Sequence, residues 1–290
     1  MSYALAIELE TGTCDQVKPG RRVPKFLQAL QHMTSEVALP YAFAEYLRLA
    51  RLPITINGDT SGWNRTGKGV LFIGDHRNGL EYFLLLAALG QEGRKDIKII
   101  GKPYAFSVRL TEALDMHHEG YILPVIPRTL VSDRLNIFNR DIWMRLFNAN
   151  KLSTQKEAKA INVTAMKNAA SFLANGYAVG VFPTGGVKSA TKSAWFRGVG
   201  EMIKLLPEEA RERVVIIPFQ FGHFTQFQVV ATLWLYSKGF EVKPRTLSLN
   251  LGRQITVADF LTSETAGSTD SQVITERLRL RYVQDFHSSQ

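Results

Sequence analysis

The chain of 290 residues has almost no cysteine and no long apolar run, and each scarcity excludes a class of protein. Its single cysteine, Cys14, cannot form an internal disulfide, and no C-x-x-C pair suggests a zinc site. We therefore expect a cytoplasmic protein that needs no metal. The longest apolar run, residues 83–89, is far shorter than the roughly 20 residues of a transmembrane helix. The N-terminus lacks a basic segment followed by an apolar one, so no signal peptide is predicted.

The sequence also lacks a true nucleotide-binding loop, although residues 62–68 look like one. GWNRTGK matches the first seven positions of G-x-x-x-x-G-K-[ST], but Gly69 stands where the motif needs a magnesium-binding hydroxyl. The apolar strand follows the lysine here, whereas a phosphate-binding loop comes after a strand and opens a helix. We interpret residues 62–68 as a hairpin loop between predicted strands at 53–58 and 68–74.

The chain does carry an excess of positive charge, a formal +9. Such an excess suggests an acidic partner, which includes phosphate, an acidic carrier protein, anionic lipid or nucleic acid, and simple solubility is the alternative. Two amphipathic helical segments rich in aromatic and basic residues lie between residues 25 and 52 and are separated by Pro40. This pair either contacts the inner face of a membrane as a peripheral anchor or packs on its own domain.

From residue 53 onward, apolar strands alternate with helical segments. Helices are predicted at residues 79–90, 156–174 and 195–206, and strands at 97–102, 120–128, 177–183 and 214–222, with late strands at 225–236 and 246–252. This alternation predicts an α/β fold in which a mixed, mostly parallel sheet is flanked by helices, with an N-terminal helical pair. The expected divisions are residues 1–52 (tail and helical pair), 53–261 (α/β domain) and 262–290 (linker and C-terminal helix).

A histidine and a glutamate stand where one of these strands ends. His76 follows the strand VLFIG, and functional sites of α/β sheets collect at the carboxyl ends of strands. Glu81 is five residues further on, an offset that puts two side chains on different faces of one continuous helix. They can meet only if His76 precedes a helix and Glu81 lies in its first turns. In that arrangement Glu81 would fix the histidine tautomer and leave the other ring nitrogen free as a base. A plain helix cap is the alternative.

Basic residues and glycines follow two other buried strands. Arg128 ends the strand GYILPVIP, and Lys188 belongs to the turn TGGVKS after YAVGVFP. The adjacent Gly185 and Gly186 let backbone amides approach an anion closely. A parallel sheet would bring Arg128 and Lys188 to the edge that holds His76, which predicts an anion site beside a base. Each cation taken alone is explained equally well as a solvated surface residue.

Four segments, in order, resemble the sequence blocks of the glycerolipid acyltransferases, which include glycerol-3-phosphate and lysophosphatidic acid acyltransferases. GDHRNGLE is similar to their N-H-x-x-x-x-D block, GYILPVIPR to their second strand block, FPTGGVKS to F-P-E-G-T-R-S, and VVIIPFQFG to their apolar strand with a proline. The blocks span roughly residues 53–222. The resemblance implies acyl transfer from an acyl thioester, on coenzyme A or an acyl carrier protein, with no other cofactor. It assigns His76 as the base and Glu81 as the carboxylate that orients it.

The chain departs from this pattern at several positions. Glu81 replaces the aspartate of the first block, and Asp75 replaces the asparagine before the histidine. In the third block Thr184 replaces the glutamate, and Val187 and Lys188 replace the arginine and serine. That block helps the family to hold the phosphate or glycerol hydroxyls of the acceptor. We therefore assign Thr184 to substrate binding with Gly185, Gly186, Lys188 and Arg128, and leave the acceptor open.

Three functions follow from these features. The first is acyl transfer to a hydroxyl of a lysophospholipid or glycerol-phosphate-like acceptor. The second is acyl transfer to a soluble amine, sugar or natural-product hydroxyl, which the altered third block favours. The third is a non-catalytic lipid- or nucleic-acid-binding protein, which the positive charge favours. The spacing of His76 and Glu81 argues against the third, because a binding protein has no need of it, and nucleic acid is not the expected partner.

Overall fold

The computed structural model of the protein describes residues 38–63, 67–77, 79–101, 120–126, 154–185, 189–222 and 224–287. Its helices are α1 Leu39–Leu49, α2 Glu81–Gln91, α3 Gln155–Ala174, α4 Gly198–Lys204, α5 Glu208–Arg211, α6 Gln226–Ser237, α7 Val257–Ser263 and α8 Ser271–His287. Its strands are β1 Ile54–Asn57, β2 Gly69–Gly74, β3 Ile97–Gly101, β4 Ile122–Pro124, β5 Ala178–Val181, β6 Val214–Phe221, β7 Leu247–Leu251 and β8 Ile255–Thr256. The first helix predicted for the N-terminal pair falls largely outside these ranges.

The described strands form one sheet in the order β1-β7-β6-β2-β5-β3-β4, and β8 pairs with β6. Neighbours run parallel except for the pairs β6–β7 and β6–β8, which are antiparallel. Every residue of the central strand β2 is buried, as expected of a parallel strand that helices cover on both faces. The predicted fold class, an α/β fold with a mixed, mostly parallel sheet, is confirmed.

Alternate residues of β2 point into two apolar layers, one on each face of the sheet. Val70 and Phe72 belong to the layer that contains α1 and α2, and Leu71 and Ile73 belong to the layer that contains α3, α4 and α8. The α1 helix buries Leu39, Ala42, Tyr46 and Leu47 in the first layer. The α8 helix buries Ile274, Leu278, Tyr282 and Phe286 in the second. Both flanking helices, α1 and α8, therefore pack in the layers that cover the sheet, and the predicted boundaries at residues 52 and 261 stay a prediction.

Two local predictions from the sequence are wrong. The strands β1 and β2 do not form a hairpin, because β7 and β6 lie between them in the sheet. Residues 225–236 were expected to form a late strand, but Gln226–Ser237 form the helix α6. A capping box begins this helix: the Thr225 hydroxyl accepts from the Gln228 amide, and the Gln228 side chain accepts from the Thr225 amide. In the described part of the chain, no helix is both long and apolar enough to cross a membrane.

Candidate active site

The His76 and Glu81 side chains meet at the carboxyl end of β2. His76 lies in the short segment after the strand, and Glu81 is the first residue of α2. The distance from His76 Nδ1 to Glu81 Oε2 is 3.1 Å, and only 7% of His76 and 3% of Glu81 are exposed. This is the arrangement that the offset of five residues requires, so the expected contact is confirmed. Its catalytic role stays a prediction.

Glu81 is held as a charged acceptor by its surroundings. Its second oxygen, Oε1, accepts a hydrogen bond of 2.9 Å from the backbone amide of Arg77. It also lies in the first turn of α2, where the helix dipole favours negative charge. If Glu81 is ionised it only accepts, so Nδ1 of His76 donates to it, and a neutral imidazole in that tautomer has its lone pair on Nε2. Among the residues that the structure describes, none forms a hydrogen bond with Nε2 of His76.

Aromatic rings enclose the histidine. The His76 ring packs edge-on against Tyr82 with centroids 4.7 Å apart, and its centroid is 5.1 Å from that of Phe182. Tyr82 and Phe182 also contact each other at 4.3 Å, and Phe219 packs against Phe182 at 5.8 Å. Burial raises the pKa of Tyr82, and the negative charge of Glu81 raises it further. The phenol therefore stays neutral, and this aromatic wall fixes the imidazole and limits the access of water to its sides.

Asp75 joins the histidine segment to the turn after β5, a role that the sequence did not reveal. Its Oδ1 accepts from the backbone amides of His76 at 3.0 Å and Ala190 at 2.8 Å, and its Oδ2 accepts from Arg77 Nε. Only 3% of Asp75 is exposed. The carboxylate thus ties together two segments 115 residues apart. The local signal was only an acidic residue directly before the histidine, and nothing in the sequence pointed to Ala190.

The structure describes only two of the five residues expected to bind an anion or the substrate. Thr184 is buried and Gly185 is half-buried in the turn after β5, the strand next to β2, whereas Gly186, Lys188 and Arg128 lie outside the described residues. Gly185 has a φ of +64°, and a Cβ there would come within 2.4 Å of the Phe196 ring, so glycine is required. Its amide already donates to the carbonyl of Phe182 at 3.1 Å, which engages that amide within the turn.

The strand that leads to Arg128 lies further from the histidine. The strand β4 is three positions from β2, because β5 and β3 stand between them. At about 4.8 Å per strand, that separation is roughly 14 Å.

Within the described ranges, no three His, Cys, Asp or Glu side chains gather into a group that resembles a metal site. In the described part of the site, the chemistry present is therefore a buried imidazole–carboxylate pair.

Comparisons with known proteins give little beyond the fold. No family model matches the chain, and no curated protein matches it. Among solved structures, the chain is similar to the 1-acyl-sn-glycerophosphate (LPA) acyltransferase PlsC from Thermotoga maritima. The similarity covers 90% of this chain and 79% of that one, with 14% sequence identity and a TM-score of 0.39. Similarity at this level supports no inference about activity.

Proposed function

We propose that this protein is an acyltransferase that moves a fatty acyl group from an acyl thioester of coenzyme A or acyl carrier protein to a hydroxyl of a lysophospholipid or glycerol-phosphate-like acceptor. The observation that carries the proposal is the buried pair of His76 and Glu81, 3.1 Å apart at the carboxyl end of β2. The sheet order adds support. The strands of the first, third and fourth blocks of the sequence resemblance are neighbours, in the order β6-β2-β5.

In the proposed mechanism, Nε2 of His76 removes the proton of the acceptor hydroxyl as its oxygen attacks the thioester carbonyl carbon. A new C–O bond forms and the carbonyl electrons move onto the oxygen. Collapse of this tetrahedral intermediate breaks the C–S bond, and the departing thiolate takes the proton from the imidazolium. Glu81 stabilises the imidazolium and holds the ring in one tautomer. The products are an ester and a free thiol, and no covalent acyl-enzyme forms.

Anion binding is assigned to the remaining candidates. Arg128 and Lys188 bind the acceptor phosphate or the phosphopantetheine phosphate of the donor. Thr184, Gly185 and Gly186 are proposed to bind the substrate, and a backbone amide near them, other than that of Gly185, is proposed to stabilise the oxyanion. No cofactor besides the thioester co-substrate is needed. The protein is proposed to act in the cytoplasm with peripheral contact at the inner membrane face.

The test follows thiol release from a panel of acyl-coenzyme A and acyl carrier protein donors, with mass spectrometry of the products. We expect His76→Ala to lower kcat/KM by about 1,000-fold or more, because the base is lost. Glu81→Gln should cost about 10- to 100-fold, because the amide still orients the ring but no longer offsets the imidazolium charge. Glu208→Gln, on the exposed surface of α5, is the matched control and should keep full activity. Near-wild-type turnover by both His76→Ala and Glu81→Gln would refute the proposal.

A soluble acceptor is the second candidate. The observation that favours it is Thr184, a buried neutral residue that stands where the resembling family has a glutamate. A changed turn at this position alters the groups available to phosphate or glycerol hydroxyls. Mixed acceptors separate the two candidates, since the mass of the product shows whether a lipid, an amine or a sugar received the acyl group. Specific ligand binding without any thiol release would instead indicate a binding protein.

A further inference from the structure

The helix α6 exposes an apolar stripe. Phe227, Val230 and Trp234 are 81%, 42% and 48% exposed. Their spacing of three and four residues puts them on one face of the helix. The twelve residues of α6, QFQVVATLWLYS, include no charged side chain. A run of large apolar side chains on one face of a surface helix indicates an interaction site rather than chance exposure.

The opposite side of α6 is anchored in the core. Val229 is buried, and the Tyr236 ring packs edge-on against Tyr46 of α1 at 5.8 Å. Beyond the helix, the Phe240 amide donates to the Leu235 carbonyl at 3.1 Å, and the Phe240 side chain is 58% exposed. The apolar stripe of α6 is therefore a rigid face directed away from the domain, and Phe240 adds a fourth large apolar side chain where the helix ends.

Positive charge borders the stripe at the C-terminal end of α6. Lys238 Nζ lies 6.0 Å from the centroid of the Trp234 ring, and Lys243 and Arg245 are exposed in the segment that follows. Within the described ranges these three cations have no acidic side chain in ion-pair contact, whereas the nearby Glu241 pairs with Arg51 at 3.3 Å. The apolar surface thus ends in a rim of exposed positive charge.

We propose that the apolar stripe of α6, with Phe240 and the rim of Lys238, Lys243 and Arg245, docks on the surface of an anionic lipid bilayer. An apolar face enters the boundary between headgroups and acyl chains, tryptophan suits that boundary, and lysine and arginine bind the anionic headgroups. A second copy of the chain is the alternative occupant, and sedimentation without lipid tests it.

This surface differs from the helical pair at residues 25–52, and the docking proposal does not rest on acyl transfer. Its position relative to the candidate site is nevertheless informative. Ring contacts run from Phe182 beside His76 through Phe219 at 5.8 Å and Phe221 at 5.9 Å to Phe224 at 6.3 Å, two residues before α6 begins. The lipid-docking face and the histidine are therefore linked through one continuous aromatic layer.

The experiment is vesicle flotation of the full chain with phosphatidylglycerol–phosphatidylcholine vesicles and with pure phosphatidylcholine vesicles. We expect the wild type to bind the anionic vesicles. The double substitution Phe227→Gln and Trp234→Gln should weaken its partition by about tenfold or more, because two large side chains no longer enter the bilayer. Val163→Gln is the matched control: it replaces an apolar residue that is 44% exposed on α3, and its binding should equal that of the wild type.

A second variant separates the contribution of charge to vesicle binding from that of apolar contact. The triple substitution Lys238→Gln, Lys243→Gln and Arg245→Gln should lose about 100-fold or more in partition to anionic vesicles, because each basic residue near the surface contributes roughly fivefold. Added salt should weaken the wild type but have little effect on this variant. The proposal is overturned if the wild type floats with neither vesicle or if the Phe227/Trp234 variant binds as the wild type does. It is equally overturned if lipid-free sedimentation shows a dimer that the double variant dissociates.

Discussion

Asp75 holds together the two segments that shape the candidate site. Its buried carboxylate accepts from the amides of His76 and Ala190 and pairs with the partly exposed guanidinium of Arg77. A buried carboxylate that satisfies two amides is costly to remove, because each amide would lose its partner without gaining water. We therefore expect Asp75 to position the histidine rather than to take part in proton transfer.

Two substitutions of Asp75 should show separately what its contacts contribute to stability and to activity. Asp75→Ala leaves buried donors without partners and should lower the free energy of unfolding by about 3 kcal/mol or more. Asp75→Asn keeps one acceptor oxygen but faces Arg77 with an amide, so kcat/KM should fall by about tenfold while the fold is retained. A thermal melt and the thioester assay measure both effects.

A double-mutant cycle provides the control for this positioning role. If Asp75 acts through Arg77 as well as the amides, Arg77→Gln should cost less in the Asp75→Asn background than in the wild type, with a coupling of about 1 kcal/mol. Additive losses in kcat/KM would show that the ion pair does not contribute to the placement of His76.

The residues of the site were predictable from the sequence only where the contact is local. The pairing of His76 with Glu81 followed from an offset of five residues at a junction between strand and helix, and the structure has that contact. The link from Asp75 to Ala190 spans 115 residues and depends on β2 lying beside β5. The amide of Gly185 was expected to approach an anion, but it donates to Phe182 within its own turn. No local pattern encodes the contact between Asp75 and Ala190, whereas the bond from Gly185 to Phe182 spans three residues and is an ordinary turn contact.

Among the elements, α1 and α2 approach each other closely at Gly90. A Cβ at this position would lie 2.1 Å from the carbonyl oxygen of Pro40, well inside van der Waals contact. Gly90 is in the last turn of α2, where alanine would otherwise gain up to about 1 kcal/mol of helix propensity. The structure therefore predicts that alanine at Gly90 destabilises the protein, whereas helix propensity alone predicts that it stabilises the protein.

Gly90→Ala should lower the free energy of unfolding by about 2 kcal/mol or more, because the clash is with backbone and α1 has to shift. Gly198→Ala is the matched control. It adds the same methyl group to a helix, at the start of α4, but the nearest atom is the Met166 sulfur at an ordinary 3.5 Å. Chemical denaturation of both variants measures the difference. Equal stability of the two proteins would contradict the close approach of α1 and α2.

The two wrong predictions about helices and strands have physical causes. Residues 225–236 are rich in β-branched and aromatic residues, which favour strands, but Thr225 and Gln228 form a capping box that begins α6. That box is visible in the sequence as T-x-x-Q and predicts the helix. The expected hairpin failed for a different reason, since β1 and β2 are close in sequence but pair with β7, β5 and β6. The pairing of strands so distant in sequence depends on how the whole sheet assembles, which no local pattern shows.

On the scale of the whole molecule, one sheet separates two apolar layers and supplies side chains to both. The helix α1 closes the first layer, and α8 closes the second by packing on α4 and on the sheet. The Tyr282 hydroxyl of α8 also donates to the Phe219 carbonyl of β6 at 3.1 Å. Loss of either helix would expose one face of the same strands. The two terminal segments should therefore unfold with the sheet rather than as separate units.

Paired substitutions in the two helices test this cooperativity. Leu47→Ala in α1 and Leu278→Ala in α8 remove side chains that are 4% and 2% exposed, and each should lower the free energy of unfolding by about 2–5 kcal/mol. The controls lie on the same helices: Leu49 and Leu280 are 40% and 39% exposed, and their alanine variants should lose less than about 1 kcal/mol. Calorimetry should show one transition that Leu47→Ala and Leu278→Ala both move to lower temperature. A separate low-temperature transition in either variant would show that residues 1–52 or 262–290 fold independently of the sheet, as the boundaries predicted from the sequence allow.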